Sequence, residues 1–175
     1  MPVTYEPIAT TTLEGSNQTV EFTSISSAYT DLILVANFSV TNNGSTFYYQ
    51  VGNGSVDTGS NYSSTNLYSG GISGTTAISD RSSSATLVSI SASMGFSNTG
   101  ISNYAIFNFQ NYSNTTTHKT VLVRAGNGGG NSYSGNGAFL GLWRSTSAIT
   151  NIKLVGASTA FASGSIFTLY GIRAA

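Results

Sequence analysis

The sequence predicts an all-β domain: an antiparallel β-sandwich, jelly-roll-like, of about eight to ten strands. Three observations carry this. β-Branched and aromatic residues recur in short runs, clusters of Gly, Asn and Ser separate those runs, and the 3.6-residue apolar period of an amphipathic helix is nearly absent. At 175 residues the chain has the size of one domain, 1–175, and a domain of this size buries roughly two-thirds of its unfolded surface.

Taken in order, strand patterns fall at residues 3–13, 18–25, 31–40 (DLILVANFSV), 46–52 (TFYYQVG), 85–93 (ATLVSISAS) and 103–112 (NYAIFNFQNY). Four more follow at 118–125 (HKTVLVRA), 137–144 (GAFLGLWR), 149–155 (ITNIKLV) and 164–173 (GSIFTLYGIR). In 103–112, Ala105, Phe107 and Phe109 share one face while Asn108 and Gln110 share the other, so this strand has one wet side. Leu32, Ile33, Leu34 and Val35 are apolar without interruption. Either both faces of that strand are covered, or one face meets another subunit. Two stretches read as long loops: 53–84, rich in Ser, Gly, Asn and Thr with scattered Tyr, and 126–136, mostly Gly, Asn and Ser. Loops of this length bind something, are ordered by a partner, or stay mobile.

Charged residues make up only 7% of the chain, with six acids balancing six bases, so Ser, Thr, Asn and Gly must make the surface polar. No basic run supplies the clustered footprint that nucleic acid requires, so no nucleic-acid partner is expected. The absence of cysteine removes disulfides, thiolate metal sites and a Cys nucleophile. No window approaches the run of about 18 apolar residues that spans a membrane. The start, MPVTYEPIATTTL, lacks the pattern of a signal peptide, which gives the expectation of synthesis in the cytoplasm and no membrane partner.

The single histidine, His118, opens a strand pattern and reads as a surface residue, since no carboxylate and nucleophile can be singled out to complete a triad. Asp57 and Asp80 flank the first long loop and could form the carboxylate pair of a glycoside hydrolase. Both are also ordinary turn residues, and Asp80 beside Arg81 suits a local ion pair or cap. One His and scattered acids make no zinc or calcium pattern. The run GNGGGNSYSGNG lacks the Lys and Ser/Thr ending of a phosphate loop. No enzyme activity, metal or cofactor is expected. Tyrosines are the more suggestive set. Tyr48, Tyr49, Tyr62, Tyr68, Tyr112 and Tyr133 lie in or beside polar loops and strand ends. There an amphipathic ring serves an interface or stacks on a sugar, or else completes the core with a bonded hydroxyl. Trp143, on a strand apolar at both parities, suits packing better than a sugar platform.

Two segments carry a resemblance. The opening YEPIATTTL followed by VEFTSISSAYTDLILVANFSV, and the ending LGLWRSTSAITNIKLVGASTAFASGSIFTLYGIRAA, resemble the two ends of small structural proteins of tailed-phage virions. The matching features are the phrase V-x-F-x-S-I-x-x-x-Y-T-D-L from Val20 to Leu32, Trp143-Arg144 before a strand, Phe161 before a turn, and Gly164-Ser165 leading into Leu169-Tyr170-Gly171-Ile172. The resemblance covers about half the chain. It implies a jelly-roll-like virion protein present in many copies; within that class the short chain without fibre-shaft repeats favours a capsid decoration or cement protein bound to the major capsid protein or other virion proteins, with a homotrimer typical. The alternative it leaves is a tail-fibre or receptor-binding module that recognises surface carbohydrate.

Overall fold

A computed structural model of the chain describes residues 4–69, 77–90, 95–98, 102–127 and 135–173. These form β1 (Tyr5–Thr12), β2 (Thr19–Phe22), β3 (Asp31–Phe38), β4 (Phe47–Asn53), β5 (Ser55–Val56), β6 (Tyr62–Ser69) and β7 (Ala77–Ala85), followed by β8 (Val88–Ile90), β9 (Asn103–Phe109), β10 (Lys119–Asn127), β11 (Asn136–Trp143), β12 (Asn151–Gly156) and β13 (Ile166–Ile172). No helix occurs among the described residues. A wide sheet of eight strands runs β1-β13-β3-β9-β10-β11-β6-β7, and a narrow one runs β2-β12-β4-β5, with β8 also paired to β4.

Within this pattern lies a jelly-roll kernel. Its halves are β1-β13-β3-β9 and β2-β12-β4-β8, with each successive kernel strand crossing to the other half except β8, which pairs with β4 in its own. Two hairpins are inserted into that kernel: β6-β7 between β4 and β8, and β10-β11 between β9 and β12. Both join the β9 side, and they double the width of one sheet. The all-β sandwich expectation therefore holds, with more strands than the sequence pattern indicates. The excess comes from 53–84, which is not one long loop: it contains β5, β6 and most of β7. Of the stretch 126–136, Gly126 and Asn127 belong to β10 and Asn136 to β11, and 128–134 lie outside the described residues.

Period-two burial explains the layers. Leu32, Leu34, Ala36 and Phe38 of β3 point inward, as do Ala105, Phe107 and Phe109 of β9 and Val121, Val123 and Ala125 of β10. Ile33 and Val35 point outward, and Val35 is 36% exposed. The chain thus does not cover both faces of β3. Between the sheets, Phe38 sits edge-on to Phe47, Phe96 and Phe161 at centroid distances of 5.3, 5.1 and 5.5 Å, the arrangement in which aromatic quadrupoles attract.

The two terminal phrases of the sequence meet in space. The Thr30 N–H donates to the Ile172 carbonyl (2.8 Å), and the Arg173 guanidinium lies 5.1 Å from the centre of the Tyr29 ring. A Cβ on Gly171 would come within 2.3 Å of that ring, so the Tyr-Gly-Ile phrase needs its glycine for close approach. Buried polar residues close the other end of the sandwich. The Asn103 amide donates to the Phe38 and Ser97 carbonyls (3.0 and 2.8 Å) and accepts from the Ser97 N–H (2.9 Å), which holds residues 95–98 against the kernel.

Candidate functional site

The structure separates the candidates that the sequence offers. Tyr49, Tyr62, Tyr68 and Tyr112 are at most 4% exposed, so these four complete the core and are not contact residues on the surface. The Tyr62 hydroxyl accepts from the Val51 N–H and donates to the Val51 carbonyl (2.7 Å), Tyr68 donates to Asp80 (3.0 Å), and Tyr112 donates to the Ser26 carbonyl. Burial pushes the Tyr49, Tyr62 and Tyr112 phenols above their usual range. Tyr48 alone of the described set stays half-exposed, on the outer face of the narrow sheet beside Val155 and Ser89. Tyr133 lies outside the described residues.

Asp57 and Asp80 are not brought together. Asp57 accepts from the Trp143 indole (2.8 Å), the Asn61 amide (2.9 Å) and the Gly59 N–H (2.8 Å). Burial pushes its carboxyl up, but these three donors outweigh that and hold it below the ordinary carboxylate value. Asp80 lies within β7, not at a turn, and accepts from Asn66 (2.6 Å) and Tyr68. No ion pair with Arg81 forms. Trp143 is opposite Tyr62 on β6, whereas Asp80 is opposite Asn66. Four residues of strand span about 13 Å, beyond the roughly 5 to 9.5 Å between the carboxylates of a glycosidase. His118 is exposed at the start of β10. Trp143 is buried and fixed by Asp57, in accord with a packing role.

The main surface feature, which none of these candidates marks, is the outer face of the wide sheet. Register puts Val35, Ile106, Arg124, Ala138 and Leu67 in one row across β3, β9, β10, β11 and β6, with Ile33, Asn108, Leu122, Leu140 and Thr65 in the next. Leu67, Leu122 and Leu140 are 59, 42 and 49% exposed, and Tyr104 on β9 is 42% exposed. All three leucines stand on the inserted hairpins, outside the kernel. The narrow sheet presents the opposite character, with Glu21, Lys153 and Gln50 in line across β2, β12 and β4.

Two open grooves cross this apolar face. One, of about 500 Å³, is floored by Gly137 and Ala138 and walled by Leu67, Tyr104 and Arg124. Its aromatic wall is fixed, because the Tyr104 hydroxyl donates to the Asn136 side chain (2.9 Å). The other, of about 310 Å³, runs between Arg81 and the pair Leu140 and Leu142. No hydrogen bond or ion pair engages the Arg81 and Arg124 side chains among the described residues. The signal that could have found this face is the one that marked 32–35: Val121-Leu122-Val123 and Phe139-Leu140 are also apolar at both parities. Comparison with protein-family models, curated proteins and solved structures gives no match to this chain. Function is therefore read from this geometry.

Proposed function

We propose that the chain is a non-enzymatic structural protein of a virion, present in many copies, and that the outer face of its wide sheet is an assembly surface. The observation that carries this is the set of exposed leucines on strands added to a complete jelly-roll kernel. Apolar surface left uncovered on an otherwise polar, low-charge protein marks a site of protein association. The phrases at the two ends of the chain, which resemble small tailed-phage virion proteins, favour a tailed-phage particle as the setting. A capsid decoration or cement protein that binds the major capsid protein and its own copies fits a short chain without fibre repeats. Mass spectrometry and cryo-imaging of virions of the encoding phage are expected to find it at high copy number. Its absence from purified particles would sink the reading.

Recognition of surface carbohydrate is a second reading, favoured by the groove beside Tyr104 and Asn136 rather than by the tyrosines of the polar stretches. An aromatic ring with a fixed hydroxyl next to an amide suits stacking on a sugar. A glycan array is expected to show binding that Tyr104→Ala removes, and an array with no signal excludes it.

A further inference from the structure

We infer that the outer face of the wide sheet is covered by the same face of a second copy of this chain, in a two-fold pairing. This rests on the reading of that face as an assembly surface and names its occupant. Three arguments point to a second copy.

The first is area. Eight strands spaced by about 4.8 Å, each some seven residues long at about 3.3 Å per residue, give a face of about 34 by 23 Å, on the order of 800 Å². That is roughly what each partner contributes to a standard stable interface. The second is shape. The face carries both projections, Leu122 and Leu140, and a groove of about 500 Å³ floored by the small residues Gly137 and Ala138. A surface that holds both knob and hole can pair with itself, and a two-fold axis uses each contact twice.

The third is charge. The two central rows contain no carboxylate and one arginine, Arg124, while the whole chain has zero formal net charge. Two like copies therefore meet with little repulsion. Arg124 needs an acceptor once covered. Asn108, whose amide nitrogen donates to the Leu122 carbonyl (3.4 Å), keeps its side-chain oxygen available on the same face. An acidic partner protein, by contrast, would find only Arg124 and, at the β7 edge, Arg81 to answer its carboxylates, because Arg144 on that face is already tied to Ser63 and the Ser60 carbonyl.

The test is sedimentation velocity and light scattering on the full chain, with circular dichroism as the folding control. The wild type is expected at twice the 18.1 kDa chain mass. Leu140→Asp and Leu67→Glu, both at exposed positions, are expected to keep the wild-type spectrum and to weaken pairing by about tenfold or more. Tyr48→Asp on the narrow sheet should leave the dimer intact. Arg124→Met, which removes a charge that pairing would bury, is expected to keep or tighten pairing, and loss of pairing in that variant would overturn a contact driven by the apolar rows.

A wild type that stays monomeric to about 100 μM, or a trimer indifferent to Leu140→Asp and Leu67→Glu, overturns the inference. If the wild type is monomeric in solution yet Leu140→Asp abolishes its incorporation into particles, the second copy is excluded and the assembly reading stands. A Leu140-dependent dimer that is missing from virions upholds the pairing and removes the virion setting.

Discussion

At the scale of single residues, close approach between the sheets sets the tightest limits. The Tyr49 hydroxyl is buried without a hydrogen-bond partner, and a Cβ on Gly141 would stand 1.9 Å from it. Gly141→Ala is expected to destabilise by about 1 to 3 kcal/mol through overpacking. Tyr49→Phe, which removes an unpaired buried hydroxyl, should be neutral or stabilising by about 1 kcal/mol. It should also relieve part of the Gly141→Ala loss, though Val88 remains 3.1 Å from the added methyl. Urea denaturation of the four proteins of this cycle measures the coupling, and strict additivity would show that the two positions do not touch. Asp57 offers a second test. Asp57→Ala strands the Trp143 indole N–H and the Gly59 N–H, a loss of about 1 to 3 kcal/mol at neutral pH. Because the folded carboxyl titrates below its unfolded value, near 4, its stabilisation is complete above that value and drains away as the pH falls through the folded one. The gap between wild type and Asp57→Ala should therefore narrow as the pH falls below about 4. A gap of constant size would assign the loss to packing.

Among the elements, the kernel and the inserted hairpins differ in what holds them. Asn103 and Asn127, at facing ends of β9 and β10, tie residues 95–98 to the kernel through the Ser97 and Gly95 carbonyls. Asn103→Ala removes the hydrogen bonds to the Ser97 N–H and to the Phe38 and Ser97 carbonyls and is expected to cost about 3 kcal/mol. Hydrogen exchange should show the Ser97 amide opening while β9 and β10 stay protected, and uniform acceleration would refute a local clamp. All ten strands expected from the sequence are present within a few residues of their expected limits, because each carries an alternating or continuous apolar run such as Ala105-x-Phe107-x-Phe109. β6 and β7 escaped for a physical reason. The inward side of β6 is Tyr62, Ser64, Asn66 and Tyr68, and the inward Asp80 of β7 answers Asn66 and Tyr68 by hydrogen bonds. Hydrophobic periodicity cannot register a strand whose buried side carries polar groups bonded to its neighbour. The candidate site was less legible still, since a tyrosine in a polar stretch gives no sign of which way its ring points. Leu122 and Leu140 were visible only as doubled apolar runs whose outward half had no assigned cover.

For the molecule as a whole, few charges mean that pH acts through a small number of buried groups. Salt should matter little: the one ion pair among the described residues, Glu6 with Arg173 at 3.2 Å, joins two exposed side chains and is worth little in water. The alkaline side is more revealing. Lys119 is 1% exposed, its ammonium donates to the Thr117 and Thr146 carbonyls (2.7 and 3.1 Å), and no carboxylate pairs with it among the described residues. Burial lowers its pKa. Between the folded value and the unfolded one near 10.4 the unfolded chain holds more protons, so stability should climb with pH through that window. The buried phenols act in the opposite sense. Tyr49, Tyr62 and Tyr112 have raised folded values, so their contribution is complete below the unfolded value near 10 and is lost above it. The urea midpoint is thus expected to rise gently toward about pH 10 and then fall steeply. Lys119→Met should flatten the rise by removing a buried charge that no carboxylate answers, yet leave the fall in place, because the phenols are untouched. A rise that persists in Lys119→Met would place its origin in another group, and a fall that disappears would mean that the phenols do not drive alkaline unfolding.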